Sequence, residues 1–210
     1  MQQIQAMLTT ISSICSPFMP SIILASSSPY RRELLGRLGI SFDHISPDID
    51  ESALPDESAA QLVSRLSQQK AQAVASDYPH HLIIGSDQVA CLDGTILVKP
   101  GSSDKAMAQL GACSGKTVTF YTGLSLLNSK TVQQQTAVEL FSVKFRVLDK
   151  AAIERYISAE QPLDCAGSFK VEGLGISLFE QLIGDDPNSL IGLPLIKLVD
   201  MLQAEGIAIP

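Results

Sequence analysis

The feature that most restricts this chain is the run Ser21-Ile-Ile-Leu-Ala25, which stops abruptly at Ser26-Ser27-Ser28-Pro29. A short apolar run closed by turn residues reads as a buried strand. Ser28 suits a helix N-cap, and Pro29 suits the first helical position, where no backbone N–H is needed. Leu34, Leu35 and Leu38 then fall on one helical face before Gly39. The chain therefore opens as strand, serine-rich loop and helix.

The rest of the sequence repeats these signals. Phe42 to Ile45 predicts a second strand that runs into the polar loop Ser46 to Glu51. Helical spacing extends from Glu57 to Ser76, with Leu62, Leu66, Lys70, Ala73 and Val74 in phase. Leu82-Ile83-Ile84 predicts a buried strand ending at Gly85-Ser86-Asp87-Gln88. Val89 to Val98 predicts a hairpin turning at Asp93-Gly94. A short helix follows over Ser103 to Leu110. Thr117 to Leu127 and Thr136 to Val147 alternate as two long strands. Asp149 caps a helix reaching about Ala159, and Ile176 to Leu182 is a strand or a short helix. The last helix starts at Pro194 and turns Leu195, Leu198, Val199 and Leu202 inward. Such a mixture predicts an α/β fold, a mixed central sheet flanked by helices.

Composition narrows the class. Of 210 residues, 45% are apolar and 18% charged, as in a compact soluble protein, and the formal net charge is −7. An acidic total disfavours polymeric nucleic acid as a partner, since a backbone binder needs a basic face. It leaves room for a small anion held by a few focused cations. Cys15, Cys91, Cys113 and Cys165 show no C-x-x-C spacing, so reduced thiols in a cytoplasmic protein are expected. Residues 1–20 lack a positively charged start and are interrupted by Gln2, Gln3 and Gln5. They read as an N-terminal extension before a single domain over 21–208, with neither signal peptide nor membrane span.

Four loops carry candidate chemistry. The serine-rich turn at a helix N-terminus is a natural anion site, and Arg31 and Arg32 would gain from an anion docked there. Asp87 follows an apolar strand, at the sheet edge where α/β proteins bind ligands. Its carboxylate can hold Mg²⁺ or Mn²⁺, or take a proton from water. Pro100 can aim Lys99 at a phosphate, Asp50 and Glu51 add carboxylate, and Lys70 can turn inward from its helix. His44, His80 and His81 lie in none of these loops, so a histidine triad is not expected. Carboxylate, lysine, arginine and metal suit phosphoryl or nucleotidyl chemistry.

The blocks Leu24-Ala-Ser-Ser-Ser-Pro-Tyr-Arg-Arg32, Asp50-Glu51, Gln69-Lys70-Ala71, Gly85-Ser-Asp-Gln88, Lys99-Pro100 and Ser114-Gly115 occur in that order. Cys165-Ala-Gly-Ser-Phe-Lys-Val-Glu-Gly-Leu-Gly175 and Asp186-Pro-Asn-Ser-Leu-Ile-Gly-Leu-Pro194 follow. Together they resemble the Maf family of nucleotide pyrophosphatases, over residues 21–206. The resemblance implies two lobes around a cleft, similar to the inosine-triphosphate pyrophosphatase architecture. It implies hydrolysis of a nucleoside triphosphate to monophosphate and pyrophosphate, with a divalent metal cation. Asp87 matches the proton acceptor, Glu51 joins it at the metal, and Ser26, Ser28, Arg31, Lys70 and Lys99 hold phosphates. A homodimer is also implied.

Within the family the chain resembles the branch preferring 7-methyl-GTP, through Tyr30, Gln88 and Glu172. The branch preferring dTTP and UTP has Thr after the aspartate and Gln in place of Glu172. A cationic 7-methylguanine could stack on Tyr30 with a cation–π contribution of roughly 0.5–2 kcal/mol. Glu172 could accept hydrogen bonds from its edge. The chain departs from the branch in having Val98 where Gly is common and Tyr30 where Trp is common. Alternatives are dTTP/UTP or broad preference, or a nucleotide-binding regulator of septum formation.

Overall fold

The computed structural model describes residues 20–210. All of the expected N-terminal extension except Pro20 lies outside the described residues. In chain order the elements are β1 Ser21–Ala25, α1 Pro29–Gly36, β2 Phe42–Ile45, α2 Ala59–Ala73, β3 His81–Leu92, β4 Thr95–Leu97 and α3 Ser103–Cys113. They continue with β5 Thr117–Asn128, β6 Gln133–Phe145, α4 Lys150–Glu160, β7 Phe179–Ile183, α5 Pro187–Ile191 and α6 Leu195–Ala204. The strands form one sheet in the order β2-β1-β3-β5-β6-β7, with β4 on β3. β1 runs parallel to β2 and β3, and every other pairing is antiparallel. The expected mixed sheet flanked by helices is therefore what the chain forms.

Alternation along the strands sorts the core, because successive side chains point to opposite faces. On one face Leu24, Leu82, Ile84, Leu124 and Leu126 pack with Leu34 and Leu35 of α1 and Leu198 and Leu202 of α6. Farther along that face, Ala90, Leu92, Val118 and Phe120 pack with Leu110 of α3 and Ile153 and Ile157 of α4. The opposite face receives α2, whose Ala71 meets Ile23, Ile83 and Leu127. Among the described residues, no helix is long and apolar enough to cross a membrane.

Several boundaries differ from the sequence expectation for identifiable reasons. α2 begins at Ala59 because Ser58 and Gln61 form a capping box: Gln61 N donates to Ser58 Oγ, and Ser58 N to Gln61 Oε1. The stretch expected as either strand or helix after Gly175 is both, a 3-10 turn over Leu174–Leu178 and then β7. The largest correction concerns β3. It does not stop at Gly85 but continues through Asp87 to Leu92, paired with β5 along the whole length from Leu82.

The other flank of β3 is divided. β1 pairs with it up to Gly85, and β4 pairs with it only from Ala90, after the Asp93-Gly94 turn. Residues 86–89 thus have strand geometry with one side open. The expectation that Asp87 emerges at the end of β1's neighbour was right about the place and wrong about the cause: β1 ends there, and β3 does not.

Candidate active site

The bare flank of β3 forms one wall of a cleft of about 400 Å³, within the size range of small-ligand sites. Ser28, Tyr30, Arg31, Glu51, Lys70, Asp87, Gln88, Lys99 and Glu172 all line it. These residues come from α1, α2, β3 and four separate loops. Of the candidate residues Ser26, Arg32 and Asp50 do not line the cleft, and Ser26 alone among those the resemblance assigned stays out of it. Ser26 is buried beneath the loop, where its Oγ accepts from Ser28 N at 3.1 Å and Arg31 Nη1 at 3.5 Å.

Helix α2 reaches the site because two glycines let it sit directly on the sheet. A Cβ on Gly85 would lie 2.0 Å from Ser67 O, and one on Gly123 would lie 2.1 Å from Val63 O. In strands such glycines mark close backbone approach. Lys70, one turn past Ser67, is thereby brought over Asp87. Its Nζ donates to Asp87 Oδ1 at 2.6 Å and lies 2.8 Å from Glu51 Oε1. Lys70 and Asp87 are 6% and 7% exposed, so the pair is buried, whereas Glu51 hangs over it from the loop before α2. A buried ion pair needs good geometry to offset desolvation, and here one ammonium serves two carboxylates.

The first loop behaves as its residue types require. Ser28 Oγ accepts from Arg31 N at 3.4 Å and caps α1. Arg31 is then held across the cleft floor by its Nε, which donates to Gly192 O at 2.8 Å. Burial lowers the pKa of its guanidinium, while Asp87 and then Glu51 pull it back up. Arg32 points elsewhere, with Nη1 2.7 Å from His44 Nε2. Lys99 is exposed on the rim beyond β4. Val98, the departure beside it, is 71% exposed and is not part of the cleft wall. Its bulk therefore does not intrude on Lys99's approach.

Opposite α1, the loop 164–172 closes the cleft with Asp164, Cys165, Phe169, Lys170 and Glu172. The loop is pinned to α4, since Lys170 N donates to Tyr156 Oη at 3.0 Å. Tyr30 faces this loop. Burial raises its phenol pKa, Cys165 and Asp164 raise it further, Lys170 opposes them, and Glu172 adds a smaller push. Burial also lifts the Cys165 thiol to about 12, helped by Asp164, which leaves it a poor nucleophile.

The hydrogen bonds of the frame behind the site were not foreseen from the sequence. Gln88 Nε2 donates to Ser189 O at 2.7 Å, Thr122 Oγ1 at 3.0 Å and Leu190 O at 3.2 Å. Thr122 Oγ1 donates to Ser189 O at 2.8 Å, and Ser86 Oγ to Gly192 O at 2.9 Å. Asp186 caps the front of α5, accepting from Asn188 N, and also accepts from Ile196 N at the start of α6. Asp186-Pro187 carries an N-cap and first-turn proline signal that would have located α5.

The donor set around Asp87 can be tested for a divalent cation. Among the described residues, no three Asp, Glu, His or Cys side chains gather into a ready-made cage. Glu51 and Asp87 nevertheless converge on one point, the Lys70 ammonium. Mg²⁺ is commonly held by one or two carboxylates, with substrate phosphates and water completing the shell. Two oxygen donors beside an anion cleft fit that pattern.

The chain is similar in sequence to known proteins over most of its length. Over 192 residues the chain is 62% identical to the 7-methyl-GTP pyrophosphatase of Pseudomonas aeruginosa, covering 91% of this chain and 100% of that one. It is 56% identical over 191 residues to the 7-methyl-GTP pyrophosphatase of Alcanivorax borkumensis, covering 91% and 97%. The solved structure of the Staphylococcus aureus Ham1 protein overlaps 60% of this chain and 71% of its own, at TM-score 0.43 and 13% identity. The family model described as Maf-like protein matches residues 21–205, a span that takes in the open flank of β3, the α2 lysine and the α5 frame, and the chain belongs to that family.

Proposed function

We propose that this chain is a nucleoside triphosphate pyrophosphatase that prefers 7-methyl-GTP. Relatives at 56–62% identity over nine-tenths of the chain bear that activity in their names. The single observation that carries the reading is the pairing of Asp87 with Lys70 inside a cleft lined by further cations. A buried carboxylate with one oxygen anchored presents its other oxygen to a ligand in a fixed direction.

The triphosphate lies along the serine-rich loop, Arg31, Lys70 and Lys99. Asp87 takes a proton from a water whose oxygen attacks the α-phosphorus. The α–β anhydride bond breaks, its electrons leave with pyrophosphate, and the nucleoside monophosphate remains. Positioning and charge neutralisation supply most of such catalysis. A divalent cation, Mg²⁺ or Mn²⁺, supplies added charge neutralisation on the phosphates, and Glu51 and Asp87 would hold it. Tyr30 stacks on the base, and Glu172 answers its positive charge. Residues 21–208 act as one unit. Residence in the cytoplasm follows from the scattered cysteines read as reduced thiols, a homodimer is carried over from the resemblance, and sedimentation tests the latter.

The experiment is pyrophosphate release from 7-methyl-GTP, GTP, dTTP, UTP and CTP, with Mg²⁺ or Mn²⁺ and with EDTA. Metal-dependent release fastest with 7-methyl-GTP is expected. Fastest release with dTTP or UTP would remove the base preference and keep Asp87. No release from any of them would leave a binding protein.

A further inference from the structure

The pleat of β3 separates two jobs within one cleft. Asp87 is on the α2 face, opposite Gly123 of β5, while Gln88 is on the other face, opposite Thr122. Beyond the hydroxyls of Ser86 and Thr122, the Gln88 face turns apolar at Ala90, Phe120 and Leu124. Phe120, two residues from Thr122, lines the cleft and meets Phe169 edge-on with ring centroids 5.4 Å apart. Leu190 and Ile191 of α5 complete that wall. Asp87, Lys70 and Glu51 therefore gather on the α2 side, while Phe120, Leu190 and Ile191 give the α5 side an apolar wall, and the two sides match the two ends of a nucleotide.

Helix α5 is a five-residue turn, and beyond the bonds from Gly192 N to Asn188 O and Ser189 O it has few backbone donors for its last carbonyls. Its carboxyl end is held by side chains of the sheet. Gln88 offers two N–H groups, and three acceptors lie within 3.2 Å of them. Two of these acceptors are backbone carbonyls, so the amide orientation is fixed by chemistry. Thr122, wholly buried, accepts from Gln88 and passes its single proton to Ser189 O. The amide of Gln88 is thus spent on the frame and is not free to donate to a base.

We propose that Thr122 is a positioning residue for nucleobase selectivity: with Gln88 it fixes the Leu190-Ile191 wall against which the base packs. It touches no substrate atom and acts through α5. The inference rests on the nucleoside triphosphate pyrophosphatase reading given above. Removing the hydroxyl lets the wall shift by a fraction of an ångström on the base side and leaves Asp87, Lys70 and Glu51 in place.

The test compares wild type, Thr122→Val and Thr122→Ser by kcat and KM for 7-methyl-GTP and GTP, with thermal midpoints alongside. Thr122→Val keeps the shape and deletes the hydroxyl, and Thr122→Ser restores it. The expected result is a rise in KM for 7-methyl-GTP and a loss of about tenfold in its selectivity over GTP, one hydrogen bond's worth. The kcat for 7-methyl-GTP stays within about twofold, and Thr122→Ser recovers the ratio. In a Gln88→Met background, Thr122→Val should remove no further selectivity, because both act on the same carbonyl. A lower thermal midpoint with an unchanged ratio overturns the proposal, as does an equal fall in kcat for both substrates. Should Thr122→Val not fold, Gln88→Met is read for the same ratio, and an unchanged ratio there overturns the proposal too. A wild type that releases pyrophosphate from neither substrate overturns the underlying reading instead, and the inference falls with it.

Discussion

Lys70 reaches Asp87 at 2.6 Å because a residue on each side of the contact yields space: Gly85 has no side chain, and Ser67 presents only backbone to it. Gly85 and Asp87 share a face of β3, so the helix that rests on the first must overhang the second. The ion pair is a consequence of how closely α2 and the sheet can approach.

Adding one methyl at that contact should therefore disturb both stability and turnover. In Gly85→Ala the new Cβ meets Ser67 O at 2.0 Å and Ala71 N at 2.9 Å, both backbone atoms that cannot turn away. A loss of about 1–3 kcal/mol in urea unfolding is expected, with a fall in turnover as Lys70 lifts off Asp87. Gly36→Ala, in α1 with nothing within 4 Å, is the control and should stabilise by a few tenths to about 1 kcal/mol.

Lys70→Met should be costly because it leaves Asp87 buried without its ammonium. Removing one partner of a buried pair typically costs about 3–5 kcal/mol. Adding Asp87→Asn to Lys70→Met should recover part of that loss in the same unfolding assay. If the two losses simply add, the pair is not the unit described here.

Asp87→Asn alone separates binding from hydrolysis. Pyrophosphate release should fall by at least about a hundredfold, as expected when a general base is removed. Nucleotide affinity measured by calorimetry should persist, because Arg31 and Lys99 remain. Retained turnover would assign the proton to another group.

Glu172→Gln addresses the base. Tyr30 and Glu172 both line the cleft, and in the proposed reading both meet the base. The ratio of 7-methyl-GTP to GTP turnover should drop by about tenfold or more, since a charged acceptor becomes neutral. Turnover of GTP itself should change far less. An unaltered ratio removes Glu172 from recognition.

The pair Glu57 and Arg65 makes a pH prediction. Arg65 donates to both oxygens of Glu57 at 2.7 Å and holds the carboxyl down to about 2, against an ordinary value of 4.5. A depressed folded value means stability that is fully present above the ordinary value and is lost as pH falls toward the folded one. The difference in unfolding midpoint between wild type and Glu57→Gln should be level above about pH 5 and shrink between 4.5 and about 2. A difference unchanged at pH 3 would contradict the pairing.

How much of this was legible in the sequence varies by residue. Lys70 and Arg31 stand in a cleft as expected, because caps and apolar spacing fix where their helices run, and Asp87 stands there because β1, not its own strand, ends beside it. The continuation of β3 past Gly85 was not legible. Val89, Ala90, Cys91 and Leu92 read as the start of a new hairpin, and only the pairing with β5 shows one unbroken strand. Thr122 was invisible for a different reason: a threonine within an alternating strand gives no hint of which carbonyl its hydroxyl will meet. Ser26 misled because a serine-rich loop does not reveal which hydroxyl faces the ligand and which turns under it.

The open flank at residues 86–89 also bears on how such a protein can diverge. In the proposed reading, hydrolysis and base choice occupy adjacent residues of one strand yet rest on different faces, against different helices. Substitutions around Gln88, Thr122 and α5 can retune which base is accepted while the lysine–aspartate pair on the other side stays as it is. A single inserted residue in β3 would be another matter: it would exchange the two faces, and the strand would lose both properties in one step.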